Sequence, residues 1–98
     1  MNNELNKNQE EFYIKFKERL DDTTEFPSNY IFKFIVPTDN KRIAEVQRVF
    51  DGARPQFSMK ESKTGKYTSV TVVTYVLDSD QVIHYYKSAA SIQDVMML

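Results

Sequence analysis

Lysine and hydroxyl side chains recur at alternate positions on either side of a single glycine in the middle of the chain. Lys60 and Ser62 precede Gly65, and Tyr67 and Ser69 follow it. Ammonium groups donate hydrogen bonds and attract anions, whereas serine and tyrosine hydroxyls both donate and accept. Because alternate residues of a strand point to the same side of a sheet, this spacing predicts a cluster able to bind an anion or a polar peptide.

The position of this cluster depends on the register of a hairpin. A four-residue turn at residues 63–66 places Lys60 opposite Ser69, with Gly65 supplying the positive φ that a tight turn requires. The alternative is a solvated sheet face without a ligand, which antiparallel sheets commonly have. The predicted binding patch on this open face consists of Lys33, Lys60, Ser62, Tyr67 and Ser69.

The composition offers little for catalysis or metal binding. No cysteine is present and His84 is the single histidine, which excludes thiolate nucleophiles, disulfides and cysteine-based zinc sites. No pair of carboxylates is placed together in an apolar pocket suited to acid–base work, and the pairs Asp21/Asp22 and Asp78/Asp80 fall at predicted helix ends. The glycine and lysine at residues 65–66 are followed by a strand, so no helix N-terminus completes a phosphate loop. We therefore predict a protein that is not an enzyme, with no catalytic residue, no metal and no cofactor.

The charge balance bears on the choice of partner. Thirteen lysines and arginines against fourteen acidic residues give a net charge of −1, without the basic excess typical of nucleic-acid modules. RNA binding through aromatic residues of an open sheet face stays the alternative, since Tyr67 and Tyr75 are predicted to lie there. The longest apolar run, residues 30–37, is far shorter than the roughly 20 residues of a membrane span. The first residues lack the basic and apolar regions of a signal peptide, so we expect a cytoplasmic protein without membrane contact.

Hydrophobic periodicity predicts one α+β domain. Alternation predicts strands over residues 30–36, 56–62, 67–77 and 92–98, with Phe57 and Met59 of the second strand facing inward. Apolar spacing predicts helices over residues 9–21, from 39 to 51 and from 78 onward. The core order is therefore β-α-β-β-α-β, the ferredoxin-like plan, with an extra N-terminal helix. Right-handed connections give an antiparallel sheet of order 4-1-3-2 with both core helices on one face.

The sheet face opposite the helices carries apolar side chains that something should cover. The first predicted helix has an apolar stripe that could do so, as could a second copy of the chain, and the sequence leaves both open. We divide the chain into a flexible N-terminus (1–8), a helix with its linker (9–24) and the ferredoxin-like domain (25–98). The stripe is formed by Phe12, Tyr13, Phe16 and Leu20, and the open-face residues are Ile31, Ile35, Val73 and Tyr75.

The last predicted strand, residues 92–98, offers an edge for docking. It is apolar, and Asp94 is its one charge that would discourage pairing with another chain. Val95 and Met97 are therefore the candidate edge-strand interface, toward either a protein partner or a second copy of this chain.

Particular residues of the hairpin and its surroundings also match a known pattern. Glu25-Phe26-Pro27, Lys33, the series Lys60-x-Ser62-x-x-Gly65-x-Tyr67-x-Ser69-Val70 and the closing residues 92–98 carry the match. With these marks, residues 25–98 resemble the YbeD-like family of small bacterial proteins of unknown function.

The resemblance implies a ferredoxin-like domain similar to ACT regulatory domains, which usually bind small effectors at subunit interfaces and regulate a partner. Ligand-binding ACT domains usually have a glycine in the loop after the first strand. Here that loop reads Val36-Pro37-Thr38-Asp39-Asn40, so an amino-acid site is not implied at that place. We therefore predict a non-catalytic regulatory or protein-interaction domain.

Overall fold

A computed structural model describes residues 3–97 as three helices and one four-stranded sheet. No helix within this part of the chain has the length and apolarity needed to cross a membrane. In chain order the elements are α1 (Asn3–Thr23), β1 (Ser28–Pro37), α2 (Asn40–Val49), β2 (Gln56–Glu61), β3 (Tyr67–Val76), α3 (Ser79–Ala90) and β4 (Met96–Met97).

All strand pairs of the sheet are antiparallel, and the strand order is β2-β3-β1-β4. Counted from the other edge, this is the predicted order 4-1-3-2, and the α+β architecture is confirmed. The long central pair is β1 with β3, from Ser28 opposite Val76 to Pro37 opposite Tyr67. These neighbours are consistent with a ferredoxin-like plan.

One face of the sheet is buried under α2 and α3. Alternation along β1 sends Phe32 and Phe34 into this core, where both are fully buried. The Phe32 ring centroid lies 5.2 Å from that of Phe50 on α2 and 5.2 Å from that of Tyr86 on α3. Such tilted aromatic pairs add to the free energy gained by burying their area, so the core joins both helices to β1.

Short polar side chains begin both core helices. Asp39 accepts a hydrogen bond from the Lys41 amide (2.8 Å), and Asp78 accepts one from the Gln81 amide (2.9 Å). These bonds satisfy amides that have no partner within the helix. The Gln81 side chain in turn accepts a hydrogen bond from the Leu77 amide (2.7 Å), just before the helix begins.

The N-terminal helix packs on α3, within the helical layer. Leu20 is only 4% exposed, and the Phe16 ring lies 5.4 Å from the Tyr86 ring. Helix α1 therefore does not cover the open sheet face, which resolves a choice that the sequence left open. It also starts at Asn3, so residues 3–8 are helical where the sequence predicted a flexible segment; residues 1–2 lie outside the described part. The stretch contains no proline or glycine, and extending an existing helix costs little.

The predicted extent of the last strand was wrong. The fourth strand is Met96–Met97 rather than residues 92–98, of which Leu98 lies outside the described part. Turn hydrogen bonds (Val95 amide to Ile92 carbonyl, 3.3 Å) and a φ of 62° at Asp94 bend the chain before it can become extended. Met59 lies on the helix side, opposite the buried Val70, as predicted, but it is 53% exposed because the helices contact β1 and β3 and leave the outer part of β2 uncovered.

Candidate functional site

The β2–β3 hairpin has the predicted register. Lys60 lies opposite Ser69, and the Ser62 amide donates to the Tyr67 carbonyl over 2.8 Å. The Gly65 amide closes the turn by donating to the Ser62 carbonyl (2.9 Å). Gly65 has a φ of 74°, as predicted, in the region that other residues rarely adopt.

This register brings the residues of the predicted patch to the face away from the helices. Their neighbours in sequence, such as Thr68 and Val70, are buried on the opposite side. Strand alternation and the pairing of β1 with β3 place Lys33 on the same open side as Ser69. The structure thus groups the patch spatially, whereas its binding role stays a prediction.

Four residues of the open face form one row across all four strands. Lys60 is opposite Ser69, which is opposite Ile35, which is opposite Met96 on β4. A shallow groove of about 400 Å³ follows this row and has mostly apolar walls. We call it the open-face groove; it is lined by Ile35, Lys60, Glu61, Ser62, Tyr67, Ser69 and Met96.

Both serine hydroxyls of the groove make hydrogen bonds within the hairpin. Ser62 Oγ accepts from the Tyr67 amide (3.1 Å), and Ser69 Oγ donates to the Lys60 carbonyl (3.3 Å). A serine hydroxyl can donate one bond and accept two. The Ser62 hydroxyl can therefore still donate to a ligand, whereas Ser69 can offer it a lone pair.

The lysines near the groove differ from Lys17 of α1, which has acidic partners. Across residues 7–97, whose side chains the structure describes, no carboxylate lies within ion-pair distance of Lys33, Lys60 or Lys63. Lys66 also makes no ion pair there and lies 5.5 Å from the centroid of the Tyr67 ring. The hairpin end of the open face consequently carries an excess of positive charge, with Glu61 as its one acidic residue.

The other end of the open face is apolar. Ile31 is 63% exposed and Tyr75 is 57% exposed, with Val73 half-buried between them. Tyr75 and Tyr67 are eight residues apart on β3, which corresponds to about 26 Å at roughly 3.3 Å per residue. The two rings therefore cannot stack adjacent bases, as neighbouring aromatic residues of RNA-recognition domains do.

The two residues of the predicted edge interface do not belong to the open face. Val95 precedes β4 and packs against the core instead of lying in a strand. Met97 is opposite Phe34, so it points to the helix side, where it joins Phe12 and Tyr86 around a cavity of about 210 Å³. Met96 is the β4 residue that reaches the open-face groove. The sequence did not reveal this, because the direction of side chains in so short a strand depends on its register with β1.

A polar cluster joins α1 to the start of α3. Lys17 Nζ donates to Ser79 Oγ (2.9 Å) and lies 3.1 Å from an Asp80 oxygen, while Ser79 donates to Asp21 (2.6 Å). The hydrogen bond to Asp80, with the charge of Asp21, raises the pKa of Lys17 above its ordinary value. A lysine held in its charged form cannot remove a proton from serine, so this serine–lysine pair is not arranged as a catalytic dyad.

His84 and the loop after β1 are not arranged for catalysis or for binding an effector. His84 is exposed on α3. Among the side chains of residues 7–97, no three histidine or acidic groups converge to hold a metal ion. In the loop after β1, the Thr38 amide already donates to the Lys66 carbonyl (2.9 Å), and the Thr38 hydroxyl bonds that of Thr68 (2.8 Å). An amide engaged in this way is not available to an effector.

Comparison with known proteins identifies the family. Residues 21–98 match the family model described as protein of unknown function (DUF493). The chain belongs to this family. No curated protein and no solved structure matches the chain. The match covers the sheet and both core helices but only the last residues of α1, so most of this helix precedes the family region.

Proposed function

We propose that this DUF493 chain is a non-catalytic protein-interaction domain that regulates a partner through the open face of its sheet. One observation carries the proposal: exposed apolar side chains share a sheet face with lysines that make no ion pair, and no described side chain of residues 7–97 covers this face. Contiguous apolar surface of this kind marks contact sites more often than solvated surface.

The packing of α1 supports this proposal. The helix buries Leu20 against the helical layer, which leaves Ile31 and Tyr75 exposed on the far side of the sheet. Helix α1 therefore does not cover the open face of its own sheet. Of the covers that the sequence suggested for this face, a partner protein or a second copy of the chain remains.

The chemistry available to the domain also supports a role without catalysis. The carboxylates near Lys17 hold that lysine charged, and Asp39 and Asp78 bond helix amides. These acidic groups act in the fold. We further propose that any ACT-like regulation operates by protein contact, because the amide of Thr38 is engaged within the domain.

The edge of β4 is a secondary contact in the same proposal. Within the described residues β4 pairs only with β1, so its outer backbone groups can accept another strand. Val95 is partly buried and Met97 faces the helix side, whereas Met96 reaches the open-face groove, so a strand added here would border both faces of the sheet.

Affinity capture with the full chain tests the proposal. The Lys60→Ala/Tyr67→Ala double variant alters the open face, and Lys15→Ala/Ile14→Ala is a matched control on exposed residues of α1 that do not line the cavity beside Met97. We expect the wild-type chain and the control to retain one partner, or to self-associate in sizing experiments, and the face variant to lose it. Equal retention by the face variant would contradict the proposal, provided that circular dichroism shows all three proteins folded.

A further inference from the structure

We infer that the open-face groove binds an acidic peptide segment of a partner protein, in which an apolar side chain follows the acidic residue at a fixed spacing. The inference rests on the proposed function and adds to it the chemistry of the partner. It follows from the distribution of charge on this face and from the arrangement of the row Lys60, Ser69, Ile35 and Met96.

The first argument is the local charge. The hairpin with its neighbour Lys33 holds four lysines and one acidic residue, Glu61, which gives a local charge of +3. Since the whole chain carries −1, the remaining residues together carry −4. A near-neutral protein thus concentrates positive charge at one end of one sheet face, and this concentration favours an anionic partner.

The second argument is that these lysines make no ion pair. In the described part of the chain, Lys17 has acidic partners at 3.1 and 3.6 Å, whereas Lys60 and Lys33 have none. An incoming carboxylate can therefore form a charge-assisted hydrogen bond with Lys60 without breaking an existing ion pair. The Ser62 hydroxyl, free to donate, lies beside it in the same groove.

The third argument is the apolar end of the row. Lys60 and Met96 lie three strand spacings apart, about 14 Å at roughly 4.8 Å each. In an extended peptide, residues i and i+4 point the same way and are separated by about 13 Å. An acidic residue at i and an apolar residue at i+4 therefore match Lys60 and Met96, with residue i+2 above Ser69 and Ile35.

This arrangement favours a peptide over a nucleic acid. A single-stranded nucleic acid presents a charge at every nucleotide and binds through stacking on neighbouring rings. Here the charge occupies one end of the groove, Ile35 and Met96 occupy the other, and the tyrosines of β3 are far apart. We therefore propose a peptide ligand, and the experiment below also measures RNA binding as the competing outcome.

Selection from a display library of random peptides of about twelve residues on the immobilised full chain tests the inference, because it imposes no sequence in advance. We expect enriched peptides to carry Asp or Glu four positions before Leu, Ile, Met or Phe. The binding of a selected peptide should weaken about tenfold or more with Lys60→Glu and weaken as salt rises. Met96→Gln should weaken binding while leaving most of its salt dependence, because it removes only the apolar contact.

Lys15→Glu is the matched control, since it makes the same charge change at an exposed position of α1. It should leave peptide binding unchanged. Enrichment of neutral or basic peptides, an absence of enrichment over the Lys60→Glu chain, or equal weakening by Lys15→Glu would each overturn the inference. Saturable binding of a random single-stranded RNA pool that Lys60→Glu abolishes would overturn it as well.

The inference can fail while the proposed function stands. If affinity capture finds a partner that depends on Tyr67 and Lys60 but the selected peptides do not compete with it, the open face binds a partner of another chemistry. If capture and self-association are both unaffected by the Lys60→Ala/Tyr67→Ala variant, the proposed function itself is wrong.

Discussion

The two faces of the sheet carry similar apolar residues, but those on one face are buried and those on the other are exposed. On β1, Phe32 is fully buried and its neighbour Ile31 is 63% exposed; on β3, Val76 is fully buried and Tyr75 is 57% exposed. Apolar character alone therefore does not decide burial in this domain. The decisive factor is the helical layer, which α1, α2 and α3 form on one side of the sheet.

The lysines show the same difference in another form. Lys17, on the helical side, is held by Asp80, Asp21 and Ser79. Lys60, on the open side, has no acidic partner among the side chains of residues 7–97. Lys17 is thus engaged by partners within the helical layer, whereas Lys60 on the open side retains the capacity to bind a carboxylate.

The largest expected effect separates neighbouring residues of β1. Phe32→Ala should lower the free energy of unfolding by about 3–5 kcal/mol, because it leaves a cavity among the rings of α2 and α3. Ile31→Ala should cost less than about 1 kcal/mol, since its side chain is mostly in solvent. Urea denaturation of both variants measures the difference. Comparable losses would mean that the open face is covered within the folded chain.

A second comparison concerns the two halves of α1. Leu20→Ala should lower the free energy of unfolding by about 2–3 kcal/mol, because Leu20 anchors the helix in the core. Phe12→Ala should cost less than about 1 kcal/mol, since Phe12 is 63% exposed. Urea denaturation and amide exchange check both. An unchanged urea midpoint for Leu20→Ala, with faster exchange only in α1, would show that this helix is a separate unit.

A third, smaller effect tests the turn that sets the hairpin register. Gly65→Ala should cost about 1–2 kcal/mol, because a side chain disfavours the φ of 74° at this position. A Cβ atom there would meet nothing within 4 Å, so the expected cost comes from the backbone conformation and not from a clash. Gly65→Asn should cost less, because asparagine tolerates this region better. Thermal denaturation distinguishes them, and equal stability of Gly65→Ala and the wild type would contradict the turn.

The smallest effect appears only in alkali. Burial, with the nearby Tyr30 phenol, raises the pKa of Tyr86 well above its ordinary value of 10.0. The folded chain therefore keeps this proton when the unfolded chain loses it, so stability is unaffected below pH 10 and falls as the pH rises above it. Tyr86→Phe should reduce the fall in the urea midpoint between neutral pH and pH 10.5, measured against the wild type. The raised pKa of Lys17 also makes stability fall as the pH rises, but Lys17 is present in both the wild type and the Tyr86→Phe variant. Identical pH profiles of these two proteins would argue against a buried Tyr86 phenol.

Much of the fold could be predicted because its signals are local. The hairpin register follows from the alternation on either side of Gly65, and the start of α2 follows from Asp39. The grouping of Lys33 with the hairpin patch needed only the strand order and the period of two. The spatial part of the candidate site was therefore predictable, although its ligand was not.

The remaining differences concern the edges of the sheet, where local patterns are weakest. Met59 alternates as an inward residue, but no helix extends far enough to bury it. The segment before β4 is apolar enough for a strand, yet it turns at Asp94 and leaves two residues to pair with β1. The role of Met96 in the open-face groove depends on that pairing, so no spacing in the sequence could reveal it.

By itself, the sequence determined the order of the strands and helices and the two sides of each strand, since side-chain alternation and helix caps act between residues near in the chain. Only the tertiary structure decided which sheet face α1 would leave open and which lysines would lack an acidic partner. Those outcomes depend on packing between residues far apart in sequence, such as Lys17 with Ser79 and Ile35 with Met96. The free energy of such contacts is set by the assembled layers and not by any single segment.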